Sequence, residues 1–206
     1  MNAQLLLIAK APVPGRVKTR LCPPCTPEQP ADLAAAALAA TVATLDAAPA
    51  ARRAFVLSGR SAVPAGWHHV EQRGDGFAAR LANAFADTAL PGTASVLVGM
   101  DTPQLTPDLV AAAAEGLDGA DAVLGHAEDG GWWGLGLRDP DAARVLRDVP
   151  MSTAETGART EQALRALGLT VARLPVLRDV DTWADAEAAA ERAPGSRFAA
   201  ALAGIR

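Results

Sequence analysis

Short apolar runs alternate with longer alanine- and leucine-rich segments along this chain of 206 residues. An alternation at this spacing is typical of β-α-β units, in which helices cover both faces of a largely parallel sheet. The predicted strands are 3–9, 53–59, 68–72, 94–99, 120–125, 131–137 and 169–175. The predicted helices are 30–48, 76–90, 106–117, 152–168 and 182–193, with a short appended helix within 195–206. No linker or repeat divides the chain, so we expect one domain over residues 1–206.

Several of these helices carry residues that are typical of helix ends. Ser152 and Glu155 have the spacing of a capping box, which predicts that a helix starts there, and Gly168 predicts where it ends. Two further caps are predicted, at Thr106 with Pro107 and at Thr182 with Asp185.

The composition narrows the classes of function. A net charge of −4 and a pI of about 5.4 argue against a nucleic-acid-binding protein, which normally carries a basic patch and a high pI. We found no signal peptide and no run near the roughly 18 apolar residues of a membrane span, so we expect a cytoplasmic protein. Cys22 and Cys25, in CPPC, are interpreted as loop thiols, because the prolines around them disfavour the helix start of a redox motif.

The segment 9–21, AKAPVPGRVKTRL, places a stiff, cationic loop directly after the first predicted strand. Its prolines restrict the backbone, and Gly15 allows close backbone approach. The positive charges at alternate positions are Arg16, Lys18 and Arg20. This charge density matches a polyphosphate, and the ammonium of Lys18 suits a phosphate as a point charge. A solvated basic loop is the alternative.

Aspartates follow two further strands. Asp101 comes directly after the strand 94–99, in VGMDTPQLTP, where a lone carboxylate suits Mg²⁺ or Mn²⁺. The alternative is a turn aspartate before Pro103. Asp179 and Asp181, in RDVDTWADAEAA, alternate and would share a face in an extended segment. For Asp181 alone, capping of the last helix is the stronger alternative.

The segment GHAEDGGWWGLGL combines acidic, flexible and aromatic residues. Glu128 and Asp129 precede a Gly-Gly turn that permits close ligand approach. Successive strand residues point to opposite faces, so one of Trp132 and Trp133 can stack on a ligand while the other fills the core. The alternative is an acidic hairpin turn with two core tryptophans.

A Gly-Asp-Gly turn in QRGDGFAARL precedes the predicted helix 76–90. A helix N-terminus after glycines can hold an anion or a base edge. The absence of a Gly-x-Ser-x-Gly motif argues against a serine hydrolase.

Six segments, in their order and spacing, resemble a bacterial family of glycosyltransferase-A-like proteins, some described as arsenosugar-type glycosyltransferases. The segments are AKAPVPGRVKTRL, RGDGFAARL, VGMDTPQLTP, GHAEDGGWWGLGL, VPMSTAETGART and LRDVDTWADAEAA. The family belongs to the nucleotide-diphospho-sugar transferase superfamily, and the first loop is also similar to that of molybdenum-cofactor and 2-phospho-L-lactate guanylyltransferases. The resemblance covers nearly the whole chain. It implies a Rossmann-like three-layer α/β/α sandwich with a mostly parallel, mixed sheet.

The resemblance also implies roles for individual residues. The nucleotide phosphates would be held by Pro14, Gly15, Arg16, Lys18 and Arg20. The base or ribose would lie near Gly74, Gly76 and Arg80. The divalent metal, Mg²⁺ or Mn²⁺, would be bound by Asp101 and Asp181. The acceptor side would comprise Glu128, Asp129, Gly130, Gly131, Trp132, Ser152 and Thr153. The catalytic residues would be Lys18, Asp101 and Asp129, with Asp129 as base or acceptor orienter.

This chain departs from the family pattern in three places. Met100-Asp101-Thr102-Pro103 stands where Ser-Asp-Cys-Pro is usual, and PMSTA, at 150–154, stands where Pro-Trp-Ser-Thr-Pro is usual. His126 replaces the usual proline. None of the three departures changes Asp101, the aspartate that the resemblance implies as a metal ligand.

We therefore expect a metal-dependent glycosyltransferase with a nucleotide-diphospho-sugar donor and a small-molecule acceptor. The alternative is a guanylyl- or cytidylyltransferase that releases pyrophosphate from a nucleoside triphosphate. A third hypothesis is a nucleotide-binding protein without turnover.

Overall fold

The structure is a computed structural model that describes residues 3–205. In this part of the chain, seven strands form one sheet. The strands are β1 (Ala3–Lys10), β2 (Arg53–Ser58), β3 (His68–Glu71), β4 (Ala94–Gly99), β5 (Ala122–Ala127), β6 (Trp132–Leu137) and β7 (Val171–Leu177). All the predicted strands are confirmed, each with bounds within about two residues of the prediction.

The sheet is mixed but mostly parallel. Its strands lie in the order β3-β2-β1-β4-β6-β5-β7. β6 runs antiparallel to β4 and β5, and the other neighbouring pairs are parallel. The α/β fold with a mostly parallel, mixed sheet is therefore confirmed.

Helices connect the strands and cover the sheet. They are α1 (Gln29–Ala47), α2 (Gly76–Thr88), α3 (Pro107–Gly119), α4 (Thr156–Ala166), α5 (Trp183–Arg192) and α6 (Arg197–Ala203). The 3-10 helices Thr19–Leu21 and Pro140–Asp148 have no counterpart among the predicted elements.

The strand β1 is apolar on both faces because both faces of the sheet are covered. Leu5 and Leu7 belong to a core cluster shared with α1 and α3. Leu6 and Ile8 belong to a second cluster shared with α2 and α4. The continuous apolar run of β1 therefore fills two cores at once.

Helix α1 corrects the expectation that no segment of the chain approaches the length and apolar composition of a membrane span. By length and composition alone it is apolar enough to cross a membrane, with a mean hydropathy of 1.2. However, Leu38 and Leu45 belong to the core beneath the sheet, and Leu33 packs in a third cluster with Phe198 and Leu202. This packing on two sides is typical of a core helix.

The start of α4 also differs from its prediction. Ser152 does not cap the helix; it has a positive φ of 59°, and the helix begins four residues later at Thr156. The reason is a competing hydroxyl turn. The Thr153 amide donates to Oγ1 of Thr156, and this hydroxyl donates to the Pro150 carbonyl at 2.9 Å. The capping box at Ser152 and Glu155 was therefore wrong.

The other predicted helix ends are confirmed. Oγ1 of Thr106 accepts from the Leu109 amide at the start of α3. Thr182 and Asp185 form a reciprocal capping box at the start of α5. Gly168 follows α4 with a φ of 80°, which favours glycine.

The chain connectivity creates a crevice at one edge of the sheet. From β1 the chain proceeds to β2 and β3 on one side, whereas β4 pairs with the other side of β1. The loops that follow β1 and β4 therefore diverge at the carboxyl end of neighbouring strands. Open α/β sheets bind their ligands at such a switch point.

Candidate active site

Lys18 lies between two aspartates in this crevice. Its Nζ is 2.9 Å from Oδ1 of Asp101 and 3.1 Å from Oδ1 of Asp181. The loop after β1 supplies Lys18, the loop after β4 supplies Asp101, and the segment before α5 supplies Asp181. The Lys18 side chain is 12% exposed, whereas the two aspartates are 43% and 47% exposed. The ammonium of Lys18 is therefore largely shielded from solvent, while both carboxylates remain accessible to a ligand.

The charge of Lys18 is permanent at physiological pH. Burial lowers the pKa of Lys18, but the attraction and hydrogen bonds of Asp101 and Asp181 outweigh burial and leave the pKa above its ordinary value. An ammonium with such a pKa does not act as a general base. It is suited to neutralise negative charge on a bound group.

Lys18 lines a cleft that we call the cationic cleft. Its lining residues are Lys10, Arg16, Val17, Lys18, Thr19, Arg20, Ala34, Met100, Asp101 and Asp181. Lys10 braces the loop, since its Nζ donates to the Arg16 carbonyl at 2.9 Å. Nη1 of Arg20 lies 3.9 Å from Asp181. The predicted Pro14 and Gly15 form the exposed turn beside this cleft and are outside its lining.

Hydrogen bonds fix the segment 178–181 beside the loop after β4. The Val180 amide donates to the Asp101 carbonyl at 2.9 Å. Oγ1 of Thr102 donates to Oδ1 of Asp179 at 2.7 Å. Nε2 of Gln104 donates to the Arg178 carbonyl at 2.6 Å. These contacts between distant parts of the chain place the late aspartates at the site.

A second opening, which we call the aromatic cleft, adjoins the first at Asp101. Its apolar lining residues are Ile8, Phe77, Leu81, Leu97, Trp132, Trp133 and Met151. Its other lining residues are Gly99, Asp101, Thr102, Asp129, Gly131, Ser152, Thr153, Thr156 and Asp179. Asp101 therefore faces both clefts.

Asp179 and Asp181 do not share a face, contrary to the expectation from their spacing. β7 ends at Leu177, so the segment that carries them is not a strand. Asp179 lines the aromatic cleft, whereas Asp181 lines the cationic cleft. Burial is the main reason that the pKa of Asp179 is raised to about 6, and the negative charges of Asp101 and Asp129 add to it.

The turn between β5 and β6 presents Asp129 to the aromatic cleft. Oδ1 of Asp129 accepts from the Gly131 amide at 2.8 Å, which fixes the carboxylate. Gly130 has a φ of 89°, and a Cβ there would collide with the Ala154 carbonyl. Gly130 thus allows the turn to pack against the segment that carries Ser152 and Thr153.

The two tryptophans separate as the strand alternation predicts. Trp132 is half-buried, lines the aromatic cleft, and donates from Nε1 to Oγ1 of Thr160 at 3.2 Å. Trp133 also borders this cleft, but it is buried in the core cluster of Leu5 and Leu7 and donates from Nε1 to the Pro175 carbonyl at 3.0 Å. Its indole also occupies the space beside Gly125.

Some predicted site residues lie outside both clefts. Glu128 is paired with Arg178 at 2.5 Å and with Arg192 at 3.2 Å. Those arginines lower the pKa of Glu128 through hydrogen bonds, against the opposing effect of burial. The residues predicted near the base also lie outside both linings: Gly74, Gly76 and Arg80. Their neighbours Phe77 and Leu81 line the aromatic cleft, so this segment borders it.

Several residues that line the aromatic cleft were not predicted as site residues. They include Ile8, Phe77, Met151, Thr102, Thr156 and Asp179. The exposure of Phe77, an aromatic residue that is 49% exposed, has no counterpart in the sequence pattern. Asp179 could have been found from its alternation with Asp181.

Among residues 3–205, no group of three or more His, Cys, Asp or Glu side chains is placed to hold a metal ion. The residues that could hold one are the two carboxylates of Asp101 and Asp181, both half-exposed and both within reach of a single ammonium. Mg²⁺ commonly takes one or two carboxylates and completes its shell with waters and substrate phosphates. This donor set therefore fits a metal that binds together with a phosphate ligand.

Left-handed backbone at non-glycine residues occurs at one residue of each cleft. In the described part of the chain these residues are Lys18, with a φ of 49°, and Ser152, with a φ of 59°. Such conformations are uncommon and tend to cluster at functional sites. Both clefts therefore carry a local feature of functional sites.

A model of the family described as an uncharacterized protein conserved in bacteria (DUF2064) matches residues 30–153. This span is more than half of the chain. The protein belongs to the DUF2064 family. The part that matches this family contains Asp101 and Asp129, and the loop with Lys18 and the segment with Asp181 flank it. No curated protein matches the chain.

Solved structures share the fold over nearly all of the chain. A protein from Desulfovibrio desulfuricans G20, provisionally described as a nucleotide-diphospho-sugar transferase, has a TM-score of 0.87 at 25% identity, covering 99% of this chain and 95% of its own. Rv0371c from Mycobacterium tuberculosis H37Rv, crystallised with manganese, has a TM-score of 0.58 at 20% identity, covering 92% and 99%. The 2-C-methyl-D-erythritol 4-phosphate cytidylyltransferase from Thermus thermophilus has a TM-score of 0.51 at 18% identity and covers all of both chains.

These similarities confirm the resemblance to proteins of the nucleotide-diphospho-sugar transferase kind. Two of these neighbours are described as transferases, one provisionally, of a sugar-nucleotide and a nucleotidyl type. The fold of this DUF2064 protein is thus a transferase fold.

Proposed function

We propose that this protein is a metal-dependent glycosyltransferase that uses a nucleotide-diphospho-sugar donor. The observation that carries the proposal is the position of Lys18 between Asp101 and Asp181, where the cationic cleft and the aromatic cleft meet. A donor with its diphosphate in the cationic cleft would place its sugar at this junction.

The cationic cleft suits the donor diphosphate. Lys10, Arg16, Lys18 and Arg20 line it with positive charge, and Lys18 is held by bonds from two other parts of the chain. A preorganised cation stabilises charge that develops on a leaving group without reorganisation during the reaction. Lys18 would act in this way on the leaving diphosphate.

Asp101 and Asp181 would hold Mg²⁺ or Mn²⁺ together with the diphosphate. When bound, the metal would neutralise the developing negative charge of the phosphate oxygens. A structural neighbour crystallised with manganese supports this choice of metal.

The acceptor would enter through the aromatic cleft. Its hydroxyl oxygen forms the new bond to the anomeric carbon of the donor sugar, while the bond from that carbon to the diphosphate oxygen breaks. The electron pair leaves with the nucleoside diphosphate. Asp129 faces this cleft and would orient the acceptor hydroxyl and accept its proton.

Nucleotidyl transfer is the second candidate. The four cationic side chains of the cationic cleft also suit a triphosphate, and a cytidylyltransferase shares the fold. In that reaction an acceptor phosphate oxygen attacks the α-phosphorus of a nucleoside triphosphate and pyrophosphate leaves. Binding without turnover is a third candidate. The location in the cytoplasm and the organisation as one domain over residues 1–206 stay predictions.

Product analysis separates these candidates. The protein is incubated with Mg²⁺ or Mn²⁺ and either nucleotide-diphospho-sugars or nucleoside triphosphates, with methyl glycosides as acceptors, and the products are followed by phosphorus NMR. We expect the wild type to release nucleoside diphosphate from a sugar nucleotide, and Lys18→Met to release it at least about 100-fold more slowly. Pyrophosphate release from a triphosphate would overturn the proposal in favour of nucleotidyl transfer. Nucleotide-dependent thermal stabilisation without any product would favour the third candidate.

A further inference from the structure

The two clefts carry opposite charge. The cationic cleft has four basic side chains that face two aspartates. The aromatic cleft has three aspartates, Asp101, Asp129 and Asp179, and none of its described lining residues is a lysine, arginine or histidine. A ligand that spans both clefts therefore meets a change in the sign of the surrounding charge at Asp101.

Two of the aspartates in the aromatic cleft are held by neutral hydrogen-bond donors. Asp101 is compensated by Lys18 at 2.9 Å. Asp129 instead accepts from the Gly131 amide, and Asp179 accepts from the Thr102 hydroxyl. Among residues 3–205, neither forms an ion pair. Their remaining lone pairs are available to hydrogen-bond donors of a ligand.

The rest of the aromatic cleft is apolar or hydroxylic. Trp132, Phe77 and Met151 form apolar walls, and the side chains of Ser152, Thr153 and Thr156 add hydroxyl groups. A ring with an apolar face and hydroxyl groups at its edge would match this lining, because the apolar face can pack on an aromatic side chain while the hydroxyls donate to carboxylates.

We infer that the acceptor bound in the aromatic cleft is a sugar or polyol ring that carries no phosphate and no carboxylate. The inference rests on the proposed function, because it assigns the diphosphate of the donor to the cationic cleft. An anionic acceptor would have to leave water and approach Asp129 and Asp179, and like charges brought together across a binding site are strongly unfavourable. Such an acceptor has a hydroxyl nucleophile, which fits glycosyl transfer. Nucleotidyl transfer to a phosphorylated acceptor would need a cation here.

A matched pair of probes tests the inference. Methyl β-D-glucopyranoside and methyl β-D-glucuronide differ by a hydroxymethyl group and a carboxylate. Their dissociation constants are measured by saturation-transfer NMR, with and without a saturating nucleoside diphosphate and Mg²⁺. We expect the glucuronide to bind at least about tenfold more weakly than the glucoside.

Two variants show whether the discrimination arises in the aromatic cleft. Asp129→Asn keeps the acceptor oxygen for the Gly131 amide but removes the charge, so the difference between the probes should narrow. Glu115→Gln removes an equal charge from the exposed surface of α3. It should leave the difference in affinity between the two probes unchanged.

Equal or tighter binding of the glucuronide to the wild type, or no saturation transfer to the glucoside, would overturn the inference. So would a probe difference that Asp129→Asn leaves intact. Nucleotide binding is measured separately by calorimetry. Failure of that binding refutes the proposed function, and the probe pair without nucleotide still decides the charge preference of the cleft.

Discussion

Lys18 and Glu161 are both buried ions, with side chains 12% and 8% exposed, but their surroundings are opposite. Lys18 is a cation between two half-exposed carboxylates, and all three residues lie in loops at the edge of the sheet. Glu161 is a carboxylate among three basic side chains, and all four residues lie within regular elements. The first cluster faces a cleft, whereas Glu161 lines neither of the two clefts described above.

The Glu161 cluster joins three elements. Glu161 on α4 contacts Nε2 of His126 on β5 at 3.2 Å, Nη2 of Arg165 on α4 at 2.9 Å, and Nη2 of Arg173 on β7 at 3.1 Å. Burial raises the pKa of Glu161, but hydrogen bonds from Arg165, Arg173 and His126 outweigh burial and leave the pKa below its ordinary value. Its contribution to stability is therefore present above the ordinary pKa of a glutamate and decreases as the pH falls through the lower folded-state pKa.

The difference teaches that burial of a charge does not by itself indicate function. A buried ion whose partners are satisfied within helices and strands holds those elements together. A buried ion whose partners are half-exposed can bind a ligand as well. We therefore expect changes at Lys18 to affect binding and turnover, and changes at Glu161 to affect stability.

The largest effect is expected for Lys18→Met, which keeps the length of the side chain and removes the charge. Loss of a preorganised cation at a leaving group lowers kcat/KM by about 100- to 1,000-fold. The free energy of unfolding should change by only about 1 kcal/mol, because Asp101 and Asp181 stay hydrated at the surface. Steady-state kinetics and urea unfolding measure the two quantities. Unchanged kinetics would show that the Lys18 cluster, like the Glu161 cluster, contributes to stability and not to turnover.

Glu161→Gln should have the reverse profile. The buried amide cannot satisfy three basic partners as the carboxylate does, so we expect a loss of about 1–3 kcal/mol in the free energy of unfolding. Nucleotide affinity should stay as in the wild type, because Glu161 lines neither cleft. Urea unfolding and calorimetric titration of the same sample provide both values. A variant that keeps its stability but loses affinity would contradict the division between the clusters.

Asp179→Asn tests a buried carboxyl on the functional side. The pKa of Asp179 is raised to about 6, mainly by burial, so the folded protein binds more protons than the unfolded chain between pH 4 and 6. The stability of the wild type should therefore fall as the pH rises through this window. The variant removes this penalty and should be more stable by about 1–2 kcal/mol at pH 7.5, with a gain that vanishes near pH 4. Urea unfolding of the metal-free wild type and variant at pH 7.5 and pH 4 measures the gain in the free energy of unfolding. An equal gain at both pH values would contradict the raised pKa of Asp179.

The smallest effect is expected at a pair that is exposed on both sides. Arg159 contacts Glu155 at 3.0 Å, and the two side chains are 52% and 67% exposed. Arg159→Ala should lower the free energy of unfolding by about 0.3–0.5 kcal/mol and leave nucleotide affinity unchanged. Thermal unfolding measures the change. A loss in the free energy of unfolding as large as that of Glu161→Gln would show that burial does not explain the different contributions of the Arg159–Glu155 pair and the Glu161 cluster.

Local patterns in the sequence were sufficient to predict the strands and most helix ends, and they indicated Lys18 and Asp101 as site candidates, whereas the role of Asp181 came from the family resemblance. Asp101 directly follows a strand, and Lys18 lies in a stiff loop after another, so the meeting of parallel strand ends predicts their proximity. The Glu161 cluster was not predicted: its pair with Arg165 follows helical i,i+4 spacing, but His126 on β5 and Arg173 on β7 are brought to it only by the fold.

The capping box at Ser152 failed for a related reason. The spacing of Ser152 and Glu155 was correct, but the hydroxyl of Thr156 binds the Pro150 carbonyl and delays the helix. The place of Asp179 likewise depends on Thr102, which lies 77 residues away in the chain. Periodicity and spacing do not contain such contacts.

Calorimetric titration of nucleoside diphosphates tests the central claim most directly, that the Lys18–Asp101–Asp181 cluster binds a nucleotide together with a metal. UDP, GDP, CDP and ADP are titrated into the wild type, Asp101→Asn and Glu161→Gln, each with Mg²⁺ and with chelator. We predict that at least one nucleotide binds the wild type and Glu161→Gln more tightly with Mg²⁺, and that Asp101→Asn loses this metal dependence. Absence of binding by every nucleotide, or metal dependence that survives in Asp101→Asn, would contradict the account.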